Sequence, residues 1–386
     1  MESLALYIHW PFCLAKCPYC DFNSHVRDRV DHAAFAAALR AELAHEAARA
    51  NGAGPRRPLG SIFFGGGTPS LMEPATVATL IEDAARWFDP APGIEITLEA
   101  NPTSMEQEKL RNFRNAGVNR ISMGVQALNE SALAFLGRKH QAQDSVRSLT
   151  LAREIFPRVS FDMIYARPGQ TDAAWRAELR EALALAADHL SLYQLTIEPG
   201  TQFATLHARG AFALPEGEAA ARLYAATAEE AARFGLLPYE VSNYARPGAE
   251  SRHNLTYWRY GDYIGIGAGA HQRLAVDGRL LATRRHRAPE EWLARVQRDG
   301  HAIVEEEALT PRDRAREALL MGLRLTEGVD PARIAARSTL AFEHCVDRRV
   351  LDRLVGDGLL HWREGRLAAT QAGRLRLDAI LPLLVQ

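Results

Sequence analysis

Three cysteines, Cys13, Cys17 and Cys20, fall within eight residues, while the fourth, Cys345, lies far from them. That is a poor disulfide framework and a good metal-ligand cluster. At C-x3-C-x2-C spacing, just after a strand, three thiolates can wrap a compact loop around one face of an iron–sulfur cube. A [4Fe-4S] cube then keeps one iron open to an exogenous ligand, which points to chemistry beyond electron transfer. Two plainer readings compete: a structural zinc site with His9 or His25 as fourth ligand, or three unrelated buried thiols. Cys345 has no ligand partner near it in sequence and is expected to be a buried or free thiol.

A second feature is Gly65-Gly66-Gly67-Thr68-Pro69, which follows a strand-like run. Glycines there let backbone polar groups approach a ligand with no Cβ in the way. The run is no Walker loop, because Gly-Lys-Ser/Thr is absent. Glu99, Gln126, Arg138 and Asp162 also stand at or after the ends of strand-like runs. Taken singly, each reads as readily as a structural ion pair or a strand cap.

Positioning such residues is the work of a repeated βα pattern. Tyr7-Ile8, Ser61 to Phe64, Glu95 to Glu99, Arg120 to Val125, Val159 to Tyr165 and Leu190 to Leu195 read as strands. Helical periods run from about Asp31 to Arg49, Pro74 to Trp87, Met105 onward with Ser104 as cap, Glu130 to Leu136, Gln141 to Glu154, and Asp172 to Leu185. Parallel neighbours need crossover helices, and right-handed crossovers curl a sheet one way. Chemistry-bearing residues after nearly every strand favour a partial (β/α)6 barrel over a doubly wound sheet. Asn51 to Pro58 reads as a flexible loop. From about Ala288 the composition shifts to Arg/Glu-rich helices, with a hairpin around Glu364-Gly365 in a winged-helix-like α+β unit. The expected domains are therefore 1–287 and 288–386.

The 386 residues carry 46 Lys plus Arg against 47 Asp plus Glu, a net charge of -1, so nothing sequence-wide draws the chain to nucleic acid. No apolar run approaches the roughly 18 residues needed to span a bilayer. A cytoplasmic protein is expected, and the winged-helix-like unit is expected to pack on the barrel or a partner rather than on DNA.

With Tyr19 before the last cysteine, the C-x3-C-x2-C motif resembles the signature of the radical S-adenosylmethionine (SAM) superfamily, over about residues 3 to 270. The resemblance implies that Cys13, Cys17 and Cys20 hold a [4Fe-4S] cluster whose open iron is chelated by SAM. In that superfamily the reduced cluster cleaves SAM to methionine and a 5′-deoxyadenosyl radical. It also implies that Gly66, Gly67 and Thr68 meet the methionine amino group. Within the superfamily the chain is similar to the coproporphyrinogen-oxidase-like branch, sharing Gly-Gly-Gly-Thr-Pro and Gly-Val-Gln-Ala. That likeness implies SAM contacts for Tyr7, Glu99, Gln126, Arg138 and Asp162. Ala166-Arg167 departs from the Gly-Leu usual there, and Arg167 would place a cation near the active-site mouth.

Two features lean toward the heme-chaperone members of the branch rather than the oxygen-independent coproporphyrinogen III dehydrogenase. Phe22 stands where the dehydrogenase pattern has a further cysteine, and few residues precede the first strand, so no dehydrogenase-like N-terminal extension is expected. The second is His253-Asn254-Leu255-Thr256-Tyr257-Trp258, similar to the chaperones' H-N-x-x-Y heme motif. His253 can ligate heme iron as a neutral imidazole, Tyr257 can ligate or hydrogen-bond, and Trp258 and Tyr260 can pack on a porphyrin. Equally, His253 and Asn254 can hydrogen-bond loop backbone while the aromatics serve the core; His271 is another candidate axial ligand. The leading expectation is a chaperone that binds cluster, SAM and heme and delivers heme to respiratory hemoproteins at the inner face of the membrane. The alternatives are the dehydrogenase, which converts two propionates to vinyl groups, and another radical SAM reaction.

Overall fold

Six strands, each followed by helix, form the N-terminal part in a computed structural model that describes residues 2–104 and 106–385, the Ser104 side chain apart. They are β1 (Leu4–Trp10), β2 (Pro58–Gly66), β3 (Asp89–Ala100), β4 (Arg120–Gln126), β5 (Arg158–Tyr165) and β6 (His189–Gln194). The crossover helices include α1 (His32–Asn51), α2 (Pro74–Trp87), α3 (Gln107–Asn115), α4 (Glu130–Phe135), α5 (Ala142–Ile155) and α6 (Asp172–Leu185). Nearly every residue of β1 is buried, as expected for a parallel strand covered on both faces. Asp31 and Thr171 cap α1 and α6 by accepting the amides of Ala34 (3.0 Å) and Ala174 (3.2 Å). The expected helix start at Met105, capped by the Ser104 side chain, lies outside the described residues. The segment read as a flexible loop is tied at its base, where Asn51 donates to Trp87 O (2.9 Å) and accepts from the Arg57 amide (3.0 Å).

The six strands lie side by side in chain order within one twelve-stranded sheet. A seventh parallel strand, Tyr263–Ile266, pairs with the outer edge of β1, from Ala5 opposite Tyr263 to Ile8 opposite Ile266. Antiparallel strands extend both ends: His271–Val276, Arg279–Arg285 and Ile303–Ala308 beyond the seventh, and Asn243–Ala245 with Leu237–Pro238 beyond β6. The strand order has two ends, so the sheet is a partial barrel. It continues past residue 287, because Ile303–Ala308 pairs with Arg279–Arg285. Arg285, fully buried, ties that extension to α1 through Glu46 (2.9 Å) and Glu42 (3.3 Å).

A second apolar cluster, built largely from Leu309 onward, contains Leu319, Leu323, Leu367 and Leu381. Helices Pro331–Ser338 and Arg348–Gly356 precede a hairpin of Leu360–Arg363 and Arg366–Ala369, and Val329 bridges to Leu367, which completes the winged-helix-like arrangement. Tyr260 and Arg273 of the barrel extension both bond to Glu317 and seat this unit on the sheet. Among the described residues no helix is long and apolar enough to cross a membrane.

Candidate functional site

The cysteine loop is closed at its base by a short parallel ladder, Phe12 opposite His25 and Cys13 opposite Val26. Cys13, Cys17 and Cys20 are all free thiols. They line one cavity of about 130 Å³ together with Tyr19, Gly66, Gly67, Thr68, Glu99, Gln126, Arg138 and Asp162. Thr68 Oγ1 donates to Cys13 Sγ (3.4 Å) and Arg138 Nη1 to Cys17 Sγ (3.5 Å), while Ser24 Oγ lies 3.8 Å from Cys20 Sγ. Burial pushes the Cys13 and Cys20 thiols up, so a bound metal would have to hold them as thiolates. These polar neighbours suit sulfurs that each bind a different iron of one cube. A single zinc ion fits less well: among the described residues no three His, Cys, Asp or Glu side chains converge on one point. The ring nitrogens of His9 are taken by Tyr7 OH and Asn23 O (both 2.9 Å), and His25 Nε2 meets Asn23 Oδ1 (3.2 Å).

Glu99 accepts the Gly66 amide (3.1 Å). Gly66 has φ 115°, and a Cβ there would stand 2.6 Å from the His9 ring, so this glycine also serves close packing of β2 on β1. Burial, with Asp162 nearby, pushes the Glu99 carboxyl up to about 8 against the pull of the Gly66 amide and Arg120. Burial likewise raises Asp162 to about 6, opposed by Ser191, Arg120 and Arg138. Arg138 also donates to Gly124 O (2.7 Å) and to Asn101 Oδ1. Gln126 sits after an irregularity in the β4–β5 pairing at φ 73°, a left-handed conformation uncommon outside glycine. Asn101, Ser122 and Lys16 also line the cavity, and no motif singled out Ser122 or Lys16.

A second cavity, of about 910 Å³, shares Phe22, Gly66 and Glu99 with the first. Tyr7 lines this one and not the cysteine cavity. Asn254, Tyr257, Trp258, Tyr263 and His271 are on its wall, with Arg284, Arg287, Met321 and Arg324, four residues to which no sequence signal pointed. His253 is absent from that wall. It is 2% exposed, its Nδ1 meets Ser61 Oγ (3.1 Å), its Nε2 meets Tyr257 OH, and its ring stacks on Phe63 at 4.7 Å. Burial lowers its pKa to about 3. With both nitrogens engaged by protein groups, His253 stands behind the wall, while its motif partners Asn254 and Tyr257 reach it. Tyr260 is buried in the second apolar cluster rather than along this wall. Arg167 lines neither cavity, against the expectation of a cation near the mouth. It is buried and paired with Glu178, away from either cavity, and Ala166 before it holds φ 57°, a left-handed value that suits the glycine usual in the branch. Cys345 is a buried free thiol, as expected.

The sheet and its cysteine-lined mouth define a radical SAM protein, and the profile of the radical SAM superfamily matches residues 7–182. The HemN C-terminal domain profile matches residues 309–376. The chain is 36% identical to the heme chaperone HemW of Escherichia coli (strain K12), over 99% of this chain and 98% of that protein. It is 42% identical to the mitochondrial radical S-adenosyl methionine domain-containing protein 1 of Bos taurus, over 85% of this chain and 74% of that protein. The solved coproporphyrinogen III oxidase HemN from Escherichia coli, a radical SAM enzyme, superposes with TM-score 0.81 at 26% identity, over 99% of this chain and 89% of that one. The chain belongs to the coproporphyrinogen-oxidase-like branch of the radical SAM superfamily, in the family of the heme chaperone HemW.

Proposed function

We propose that this protein is a heme chaperone: it holds a [4Fe-4S] cluster on Cys13, Cys17 and Cys20, binds SAM beside the cluster, takes up heme, and hands it to acceptor hemoproteins. The observation that carries the reading is the second cavity, whose 910 Å³ lies at the upper end of the roughly 300–1,000 Å³ usual for ligand pockets. Tyr257, Trp258 and Tyr263 supply aromatic wall, and arginines stand on the rim. Names borne by relatives at 34–36% identity over nearly the whole chain support the same reading. When bound, the cluster supplies an electron donor to the sulfonium of SAM. The chain's own residues do the rest: Glu99 and Asp162 receive a cationic ligand, and Arg138 orients the cysteine loop through Cys17. Phe22, 59% exposed at the junction of the cavities, occupies the position of a further cysteine in the dehydrogenase pattern. The protein acts in the cytoplasm, peripherally at the inner face of the membrane, and its acceptors are respiratory hemoproteins.

The test is a hemin titration of anaerobically reconstituted protein by absorbance, with transfer to an apo-hemoprotein and an assay for coproporphyrinogen III conversion. Stoichiometric, transferable heme without decarboxylation is the expected result. SAM-dependent decarboxylation without specific heme binding would instead make it the dehydrogenase, a reading favoured by the TM-score of 0.81 to HemN.

A further inference from the structure

Three imidazoles stand at or behind the wall of the larger cavity, and they differ in what their nitrogens are doing. His9 and His253 have both ring nitrogens occupied by protein groups. His271 is exposed to the cavity, and among the described residues neither of its ring nitrogens has a hydrogen-bond partner. We propose that His271 is the axial ligand of the bound heme and that Arg284 and Arg287 receive its propionates. This assignment rests on the heme reading above.

The position of His271 is built rather than incidental. Asn23, in the cysteine loop, donates to Ala268 O and to Arg287 O, both at 2.9 Å. Gly269 has φ 79°, and a Cβ on it would meet Asn23 Nδ2 at 2.5 Å, so the turn leading to His271 is pressed against the cluster loop in a way only glycine permits. The Arg285 amide closes that turn on Ala270 O (3.0 Å). One asparagine therefore fixes the backbones around the imidazole and one arginine relative to the cysteines.

The charges suit the ligand. His271 lies directly opposite Arg284 in the antiparallel ladder, so the two side chains share a face. Partial burial, together with Arg284, Arg273 and Arg287, lowers the His271 pKa and favours the neutral imidazole that binds iron. Arg287 has no ion pair among the described residues, and Arg284 pairs only with the exposed Glu305 (2.9 Å), a contact weak enough for a propionate to displace. Three carboxylates share this wall: Glu240 is occupied by Asn243 and the Ser242 amide, Glu99 accepts the Gly66 amide, and Asp21 belongs to the cysteine loop.

The test uses reconstituted full-length protein, hemin as probe, and absorbance with electron paramagnetic resonance as readouts of iron ligation. His271→Ala truncates an exposed side chain, so its thermal midpoint should stay with the wild type. It is expected to lose the nitrogen-ligand signature, weaken hemin binding about tenfold or more, and regain the signature with added imidazole. Arg287→Glu should keep the ligand signature and raise the hemin dissociation rate. A wild-type spectrum in His271→Ala would overturn the assignment while leaving heme binding intact, as would loss of the signature in His253→Gln with His271 in place. Wild-type protein that fails to bind hemin would remove the heme reading and the ligand assignment together.

Discussion

The cysteine cavity and the cavity beside it meet at Gly66, Glu99 and Phe22, yet their walls are gathered from the chain in different ways. The first collects residues from successive parallel strands and holds two carboxyls, Glu99 and Asp162, whose burial lifts them to about 8 and about 6, beside Lys16 and Arg138. A cationic ligand placed there ionises them and gains their charge. The second draws on residues from Tyr7 to Arg324, and it sets Arg284, Arg287 and Arg324 on a wall that also carries Asp21, Glu99 and Glu240. An anionic group would be received by the three arginines there, while Glu99 touches both compartments.

The largest expected effect separates the compartments outright. Cys17→Ala should abolish stable cluster binding, read as loss of iron and acid-labile sulfide after anaerobic reconstitution, while hemin capacity stays near one per chain. Simultaneous loss of hemin binding would show that the cavities form one site. Next in size is His253→Ala, which removes a buried ring stacked on Phe63 and strands Ser61 and Tyr257. A loss of about 3 kcal/mol in denaturant unfolding is expected. An unchanged stability would mean that the ring is not the interior brace that its contacts indicate.

A smaller effect tests the buried carboxyls of the first cavity. Burial pushes the Glu99 carboxyl up to about 8, so at pH 7 its proton must leave when a cation binds. Between about pH 6 and 8 affinity for SAM should therefore rise with pH by up to about tenfold per unit, flatten above that range, and lose this dependence in Glu99→Gln. Calorimetry in buffers of different ionisation enthalpy reads the released proton directly. If the slope persists in Glu99→Gln, Asp162 or another group carries the titration.

Much of the first cavity was legible because its parts lie next to their strands. Cysteine spacing, a glycine run after β2 and polar residues at strand ends are local signals, and a parallel barrel gathers strand ends at one mouth. The second cavity was less legible for a geometric reason. His253, Asn254 and Tyr257 occupy one short helix, Arg252–Trp258, and spacing does not reveal which side of that helix turns inward. Packing against Phe63 and Ser61 decides it, and those residues lie far away in sequence. The seventh parallel strand hid for a similar reason, since Tyr263–Ile266 joins β1 across most of the barrel. Arg167 was misplaced because its partner, Glu178, sits within the next helix.

The finest difference between the cavities concerns strain. Around the second cavity the left-handed turn before His271 is made by glycine, at Gly269, whereas in the first Gln126 adopts φ 73° with its side chain in the cavity. A left-handed conformation costs a non-glycine residue about 1–2 kcal/mol, and the greater flexibility of an unfolded glycine chain takes back about 0.4–1 kcal/mol. Gln126→Gly should therefore stabilise the empty protein by about 0.5 kcal/mol while weakening SAM binding, because strain of this kind persists where a side chain is needed at a fixed point. Denaturant unfolding and SAM titration on one preparation check both halves. A variant that gains stability and keeps full affinity would show that Gln126 is strained without serving the ligand, leaving Glu99, Asp162 and Arg138 to define the first compartment.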